Sequence, residues 1–410
     1  MPRRRRHGVV SGAALAALAA GLGACQADAG NANCQVASPV SLAGTPLTLL
    51  ANARLDQVGA GYFLLGTDPA PTGTEPVSVR WAAIDDNGNL TGEQAFALPQ
   101  GVTQAYFAMA GATAPGDTVI IGYFATDAMT GNGELAVIAV PADGTSPAAP
   151  AAPLVIFPGG IPPAASVAMS SSRLGNAAGL AWIDGAAGHV MLATINAAGA
   201  LIAQPSDTSS QAAPAFSCLG FTPGNNALTV TYYAQTTSEQ QPGWVIAEAN
   251  EAGAVTLTTS LALGMEMGTC AVVTPTAAGY ALVWQDSGGG WLAEYDTGAS
   301  SVPSYPFASA SSFGGPALQP PMVGLAPFGT DFGVLFARSY GGELWRVDSG
   351  GNRRPGALEL PSAFGNIGGI SALPVAQASG QSLLATYADY SSPAGTTTAG
   401  SRWFVNAVCY

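Results

Sequence analysis

The sequence contains no lysine. Its basic residues are 12 arginines against 25 acidic residues, which gives the 410-residue chain a formal net charge of −13. Proteins that bind nucleic acids need clustered cations to displace counterions from phosphates, so we expect no nucleic-acid partner. The lack of lysine also excludes a P-loop and a lysine Schiff base.

Histidine is almost as scarce, with His7 and His189 as the two examples. His7 lies in a segment that we expect to be removed, so a Ser-His-Asp triad would have to use His189. No G-x-S-x-G elbow accompanies it. Asp85-Asp86-Asn87-Gly88 is interpreted as a hairpin turn, with weak calcium binding as the alternative. We therefore expect no metal, no cofactor and no nucleophilic triad.

Charged residues make up only 9% of the chain, whereas hydrophobic residues make up 48%, with 53 glycines and 30 prolines. This apolar content is too high for a disordered chain, and the glycine and proline content disfavours long helices. No stretch after the first 25 residues shows a sustained helical period. The composition indicates an all-β protein.

The N-terminus has the three parts of an export signal. Residues 2–7 are basic, residues 9–24 are apolar but short for a permanent span, and the run ends in Leu22-Gly23-Ala24-Cys25. These features resemble the lipobox of bacterial lipoproteins. The resemblance implies cleavage before Cys25 and acylation of that residue. The alternative is an ordinary signal peptide cut at Ala24.

Further expectations follow from this resemblance. The absence of Asp after Cys25 implies the outer membrane rather than the inner one, and several acyl chains anchor far more firmly than one. Cleavage removes four arginines and no acid, so the mature chain carries −17 and the lipid has to hold it at an anionic membrane. The expected divisions are a signal peptide (1–24), a short tether (25–33) and a single domain (34–410).

One unit of short apolar strands and glycine turns recurs seven times. The starts of its second strands lie 48 to 61 residues apart. These second strands are Gly61–Asp68, Thr118–Asp127, Gly179–Asp184, Ala227–Gln235, Gly279–Asp286, Phe332–Ser339 and Ser382–Asp389. Four antiparallel strands per unit predict a seven-bladed β-propeller, with six blades as the alternative and two stacked β-sandwiches as a third possibility.

The last repeat has three strands before the chain stops, and the segment after Cys34 looks like a fourth strand. We therefore expect the N-terminal strand to complete the last blade, which places Cys34 across from Cys409. Cys218 and Cys270 each lie five residues before a proline in neighbouring first strands. We predict the disulfides Cys34–Cys409 and Cys218–Cys270. The alternatives are free thiols for the first pair and a two-cysteine metal site for the second.

The strand ends supply the candidate binding residues. Five second strands close with Asp, including Asp184 and Asp286, and aromatic residues such as Trp182 and Trp284 lie two positions earlier. The functional interpretation is a ring of carboxylates and stacking surfaces for a cation or sugar. The structural interpretation is loop capping by Asp and packing of the aromatics between blades. Because these residues follow the repeat, the structural interpretation is favoured.

The segment Trp284–Trp291 (WQDSGGGW) resembles the D-x-G-x-x-W core of the sialidase Asp-box. It departs from that box in having Trp284 where the box has Ser, and the other repeats lack its Gly and Trp. The arginine cluster of sialidases also has no visible counterpart. The resemblance therefore implies a turn rather than sialidase activity.

The function expected from these features is a lipid-anchored, non-catalytic propeller that binds a protein or glycan partner outside the cytoplasm. Pro141–Ala165, interpreted as a long loop, is a candidate contact face. One alternative is a carboxylate-dependent glycosidase or lyase, because propeller glycosidases can work with Asp and Glu alone. Another is a structural component of the envelope.

Replacing Cys25 tests the anchor. We expect Cys25→Ser to abolish acylation and move the exported protein from the membrane fraction to the soluble fraction, because serine offers no thiol for the lipid. Intact-mass measurement and fractionation check this result. Unchanged membrane association without acyl chains would contradict the lipid anchor.

Overall fold

The computed structural model describes most of the chain from Cys34 onwards. The described residues are 34–42, 50–58, 61–68, 76–85, 89–102, 104–111, 117–127, 129–145, 154–157, 167–172, 175–184, 189–208, 215–235, 243–263, 270–297, 303–309, 323–328, 330–338, 341–355, 358–360, 366–377, 380–390 and 400–409. The predicted signal peptide, Cys25 and the tether lie outside this set.

The regular elements of the described residues are all strands. In chain order they are β1 (Cys34–Ser41), β2 (Ala51–Val58), β3 (Gly61–Thr67), β4 (Ser78–Ile84), β5 (Leu90–Ala97), β6 (Gln104–Ala110), β7 (Thr118–Thr126), β8 (Gly133–Pro141), β9 (Val155–Phe157), β10 (Val167–Ser171), β11 (Ala177–Asp184), β12 (His189–Asn196), β13 (Ser206–Asp207), β14 (Ala215–Pro223), β15 (Leu228–Gln235), β16 (Gly243–Ala249), β17 (Val255–Leu261), β18 (Val272–Pro275), β19 (Gly279–Asp286), β20 (Gly289–Asp296), β21 (Ser304–Ser309), β22 (Val323–Phe328), β23 (Asp331–Arg338), β24 (Gly341–Val347), β25 (Leu358–Leu360), β26 (Asn366–Gln377), β27 (Gly380–Tyr390) and β28 (Gly400–Cys409). In the part of the chain described, no helix is long and apolar enough to cross a bilayer.

The strands form seven four-stranded antiparallel sheets. Sheets 1 to 6 take four consecutive strands each, from β2–β5 through β22–β25, and sheet 7 has the order β1-β28-β27-β26. The first strand of each sheet packs beside the first strand of the next, and β26 returns to β2. The prediction of an all-β propeller is confirmed.

Burial differs between the strands of a sheet in the way that radial packing requires. The second and third strands are covered on both faces, and all seven residues of β16 are buried. The fourth strand β17 alternates between more and less exposed residues, as expected where one face meets solvent. Burial of both faces explains why apolar and polar residues alternate only weakly in the inner strands. It also explains why the chain contains so few charged residues.

The prediction of a long loop over Pro141–Ala165 is partly wrong. Strand β8 continues to Pro141, and Val155–Phe157 forms β9, which pairs with β8 as the fourth strand of sheet 2. A run of only three residues is too short to stand out among alanines and prolines. Residues 146–153 and 158–166 lie outside the described residues.

The two ends of the chain share sheet 7, as predicted. Strand β1 pairs antiparallel with β28, and the register places the backbone of Cys34 directly opposite that of Cys409. The side chains of these two residues lie outside the described part, so their disulfide stays a prediction.

The second predicted disulfide is confirmed. Cys218 in β14 is bonded to Cys270, just before β18, with 5.2 Å between the two Cα atoms. Cys218 has a φ of 59° and lies where the β14–β15 register shifts between Ser217 and Gly220. A bulge at this point allows the cysteine to face the neighbouring sheet.

A buried carboxylate joins sheets 1, 2 and 3. Asp56 in β2 is 2% exposed and accepts hydrogen bonds from the backbone N–H of Met109 in β6 (3.0 Å) and from the hydroxyl of Ser171 in β10. Arg54 pairs with the same carboxylate at 2.9 Å and donates to the carbonyl of Met169. The charge of Asp56 is therefore compensated by groups on three successive sheets.

Peptide mapping without reduction tests the closing disulfide. We expect a cross-linked pair containing Cys34 and Cys409, because their backbones are paired in register. Closing so long a loop stabilises the fold by up to about 6 kcal/mol in the chain-entropy model. The Cys218–Cys270 peptide is the internal positive control. Detecting the control pair with free thiols at 34 and 409 would contradict the prediction.

Candidate functional site

Asp286 and Asp127, two of the recurring aspartates, cap their own loops, whereas Asp68 forms an ion pair with Arg80 at 2.6 Å. Asp286 accepts hydrogen bonds from the backbone N–H groups of Gly288 (2.8 Å) and Gly289 (3.2 Å) and from the indole of Trp291 (2.8 Å). Asp127 accepts from the backbone of Met129 and the hydroxyl of Thr130, and these two bonds lower the pKa of Asp127. The structural interpretation describes both residues, and the segment resembling the Asp-box is a turn.

The four predicted binding residues do not form one cleft. Trp182 is 4% and Trp284 2% exposed, so both indoles are packing groups without a face for stacking a ligand. Trp182 and Asp184 belong to sheet 3, whereas Trp284 and Asp286 belong to sheet 5. Because sheet 4 lies between them, these residues are separated around the ring.

Asp184 is half-buried and lies opposite His189 in the β11–β12 register. The His189 ring contacts Asp207 in β13, with 2.5 Å between Nδ1 and the carboxylate. Both partners are partly exposed at the edge of sheet 3. In the described part of the chain, no group of three or more His, Cys, Asp or Glu could hold a metal ion.

A cavity of about 1130 Å³ lies near the C-terminal ends of the first strands. Sheets 4 and 5 supply much of its wall through β14, β18 and the turns that follow them. Sheets 6 and 7 contribute through β22 and β26, and Gln57 and Ser172 add residues from sheets 1 and 3. Most of its polar lining is neutral. These neutral groups are Gln57, Ser172, Thr222, Asn225, Asn226, Thr274, Thr276, Thr297 and Ser371.

Sequence reasoning missed this cavity, although one signal was present. A Thr-Pro pair ends the first strand in both sheet 4 (Thr222-Pro223) and sheet 5 (Thr274-Pro275). Proline ends strand pairing, and the preceding threonine of each pair lines the cavity. The remaining lining residues come from distant parts of the chain and share no motif.

Glu248 in β16 is the one carboxylate among the described residues that line the cavity. It is 8% exposed, and its Oε1 accepts a hydrogen bond of 2.5 Å from the hydroxyl of Tyr280 in β19. Tyr280 is fully buried and also contacts the hydroxyl of Thr229 at 2.7 Å. Burial raises the pKa of Tyr280, so the phenol keeps its proton and acts as a donor to the carboxylate.

A second carboxylate, outside the cavity lining, forms hydrogen bonds with residues near the cavity wall. Glu251, in the turn after β16, accepts hydrogen bonds from the hydroxyl of Ser172 (2.5 Å) and the side-chain amide of Asn176 (3.1 Å). These bonds tie the turn of sheet 4 to sheet 3. They place Ser172 on the cavity wall.

The chemistry of the cavity favours binding. Hydroxyl and amide groups offer paired donors and acceptors suited to hydroxyls or peptide groups of a ligand. Glycoside hydrolysis needs two carboxyl groups about 5 to 9.5 Å apart. Among the described lining residues, no second carboxyl group accompanies Glu248 to form such a pair.

Comparisons with known proteins support the fold alone. No family model matches the chain, and no curated protein matches it. Among solved structures, puromycin hydrolase aligns over 83% of this chain and 50% of its own, at 15% identity and a TM-score of 0.50. This chain therefore spans about half the length of that enzyme.

Two further solved structures align at lower TM-scores. The β-propeller domain of the Trilobed protease from Pyrococcus furiosus aligns over 87% of this chain and 94% of its own, at 9% identity and a TM-score of 0.44. The alpha-L-arabinofuranosidase of Fusarium graminearum covers 88% and 93%, at 12% identity and a TM-score of 0.41.

Truncating Asp286 tests its role as a loop cap. We expect Asp286→Ala to lower the free energy of unfolding by about 1–3 kcal/mol, because it leaves the buried N–H of Gly289 and the partly buried indole N–H of Trp291 without this acceptor. Asp286→Asn keeps one carbonyl oxygen and should cost less. Urea denaturation measures both. Equal stability of the wild type and Asp286→Ala would contradict the structural role.

Proposed function

We propose that this protein is a lipid-anchored, seven-bladed β-propeller that acts outside the cytoplasm as a non-catalytic binding module for a protein or glycan partner. The cavity at the C-terminal ends of the first strands is the proposed binding site. The chemistry of its lining is the observation that carries the proposal.

The size of the cavity suits a ligand or an inserted segment of a partner. Its volume of about 1130 Å³ is slightly above that of ordinary ligand sites, which span about 300–1000 Å³. Backbone stretches such as Val272–Pro275 and Gly324–Leu325 add apolar surface between the neutral polar groups. A wall with alternating apolar and neutral hydrogen-bonding groups supports recognition of sugars or peptides.

The use of the one carboxylate in the described lining supports a non-catalytic role. Tyr280 donates to Glu248, and no second acid joins it among the described lining residues, so the paired acid and base of a glycosidase are missing there. A glycosidase or lyase remains the second candidate, because carboxylates alone can perform that chemistry. Two opposed carboxylates would be required to favour it.

The anchor places the site at a membrane surface in this proposal. Acylated Cys25 holds the chain, and residues 25–33 separate the lipid from β1. The outer membrane is the proposed location, because no Asp follows Cys25. The strongly negative mature chain is repelled by anionic headgroups, which keeps the propeller away from the bilayer plane.

Filling the cavity mouth tests the binding site. Ala277, an exposed residue of the β18–β19 turn, lines the cavity. We expect Ala277→Trp to weaken binding at least about tenfold, equivalent to about 1.4 kcal/mol, because the indole occupies the ligand volume. The readouts are a glycan array and cross-linking to envelope proteins, both performed with the purified mature domain.

Ala97→Trp is the matched control, because Ala97 is an exposed alanine on the outer strand β5, away from the cavity. It should bind as the wild type does. Equal binding by both variants would exclude the cavity as the site. Absence of any bound glycan or protein would favour the structural alternative.

A further inference from the structure

We infer that Glu248 recognises a protonated primary amine on the ligand. The cavity therefore selects ligands that carry an ammonium group together with neutral polar groups. This inference rests on the proposed function, because it assigns a ligand chemistry to the same cavity. It starts from the position of Glu248, which lines the cavity and yet is 8% exposed.

The carboxylate of Glu248 is held in place from the protein side. Tyr280 donates to its Oε1 at 2.5 Å, and Thr229 and the backbone N–H of Asn225 contact the same phenol oxygen at 2.7 and 3.3 Å. A carboxylate offers about four lone-pair sites on its two oxygens, so one phenol leaves acceptor capacity. Because Glu248 lines the cavity, that capacity is available to a ligand.

Among the described residues, the side-chain donor to Glu248 is the neutral phenol of Tyr280. The ion pairs of the described residues do not include it, and the described cavity lining contains no Arg or His. The whole sequence contains no lysine. A buried carboxylate is costly without a compensating cation, so a cationic ligand group gains more here than a neutral one.

The geometry favours an ammonium over the other common cations. A guanidinium binds best when both carboxylate oxygens accept in parallel, and Tyr280 already occupies Oε1. A divalent metal prefers six or more oxygen ligands or several charged ones, whereas no metal-binding cluster occurs in the described residues. An ammonium has three donors and needs one carboxylate oxygen plus neutral acceptors.

The neutral acceptors are close to Glu248. Asn225 contacts Tyr280 and lines the cavity, and Asn226 follows it on the same wall. The side-chain amide of Asn225 donates to the carbonyl of Gly279 at 2.7 Å, which fixes the side chain. A carboxylate beside ordered carbonyl groups is a suitable environment for an ammonium.

Two sources could carry this ammonium, an amino sugar and a lysine side chain, and two pairs of probes distinguish them. The first pair is a glucosamine tetrasaccharide and its N-acetylated form. The second is a short lysine peptide and the same peptide with acetyl-lysine. Acetylation removes the charge in each pair and leaves the rest of the probe unchanged.

Calorimetric titration of the mature domain tests the inference. We expect at least one amine probe to bind, and its acetylated form to bind about tenfold more weakly or worse, as a lost charge-assisted hydrogen bond implies. Glu248→Gln should remove this preference. Glu294→Gln, a matched change on the third strand of sheet 5 outside the cavity lining, should keep it.

Failure of both amine probes to bind the wild type would overturn the inference, and so would a preference that survives Glu248→Gln. If Ala277→Trp blocks an amine probe that Glu248→Gln still binds as tightly as the wild type does, the cavity function stands and the ammonium site falls. Thermal melting checks that each variant folds. If Glu248→Gln does not fold, the salt dependence of binding to the wild type is measured instead. Added salt should weaken the binding of the amine probe and leave the binding of the acetylated probe unchanged. Equal effects of salt on the two probes would overturn the inference.

Discussion

The pairing of β1 with β28 is the constraint on which the rest of the structure depends. It joins the two ends of the described chain in one sheet and covers an edge that would otherwise expose unpaired backbone groups. It also fixes β26 beside β2 and so closes the ring of first strands. Most of the cavity wall comes from first strands and the turns after them, and the described lining residues belong to six sheets, so the cavity exists only when the ring is closed.

Polar groups between the sheets reinforce that closure at specific points. Asp56 connects three sheets through side-chain and backbone donors, and Glu251 connects the turn of sheet 4 to sheet 3. A buried carboxylate such as Asp56 costs desolvation energy and tolerates few arrangements, so it specifies how neighbouring sheets align. The Cys218–Cys270 bond makes a covalent link of the same kind between sheets 4 and 5.

The fold could be predicted from sequence because its signals are local and repeated. Second strands such as Gly279–Asp286 appear in the structure with the predicted bounds, and the pairing of Cys218 with Cys270 followed from equivalent positions in the repeat. The cavity could not be predicted, because its residues are scattered and its carboxylate lies in β16, where all seven residues are buried. A pattern of burial does not reveal which face borders a cavity. The roles of Trp182 and Trp284 could be predicted, because an aromatic residue that recurs at the same position of the repeat indicates packing, and both indoles are buried.

Symmetry separates the structural residues from the functional ones in this molecule. Asp286 and Asp127 cap the loops that follow their strands, at equivalent positions of two repeats. Glu248 lies five residues before the turn glycine Gly253, and the corresponding residue before Gly199 in sheet 3 is Thr194. A carboxylate at this position is therefore not required by the repeat, although it carries the cost of burial. Under the proposed function, the place of Glu248 on the cavity wall, with Tyr280 holding one of its oxygens, explains that departure.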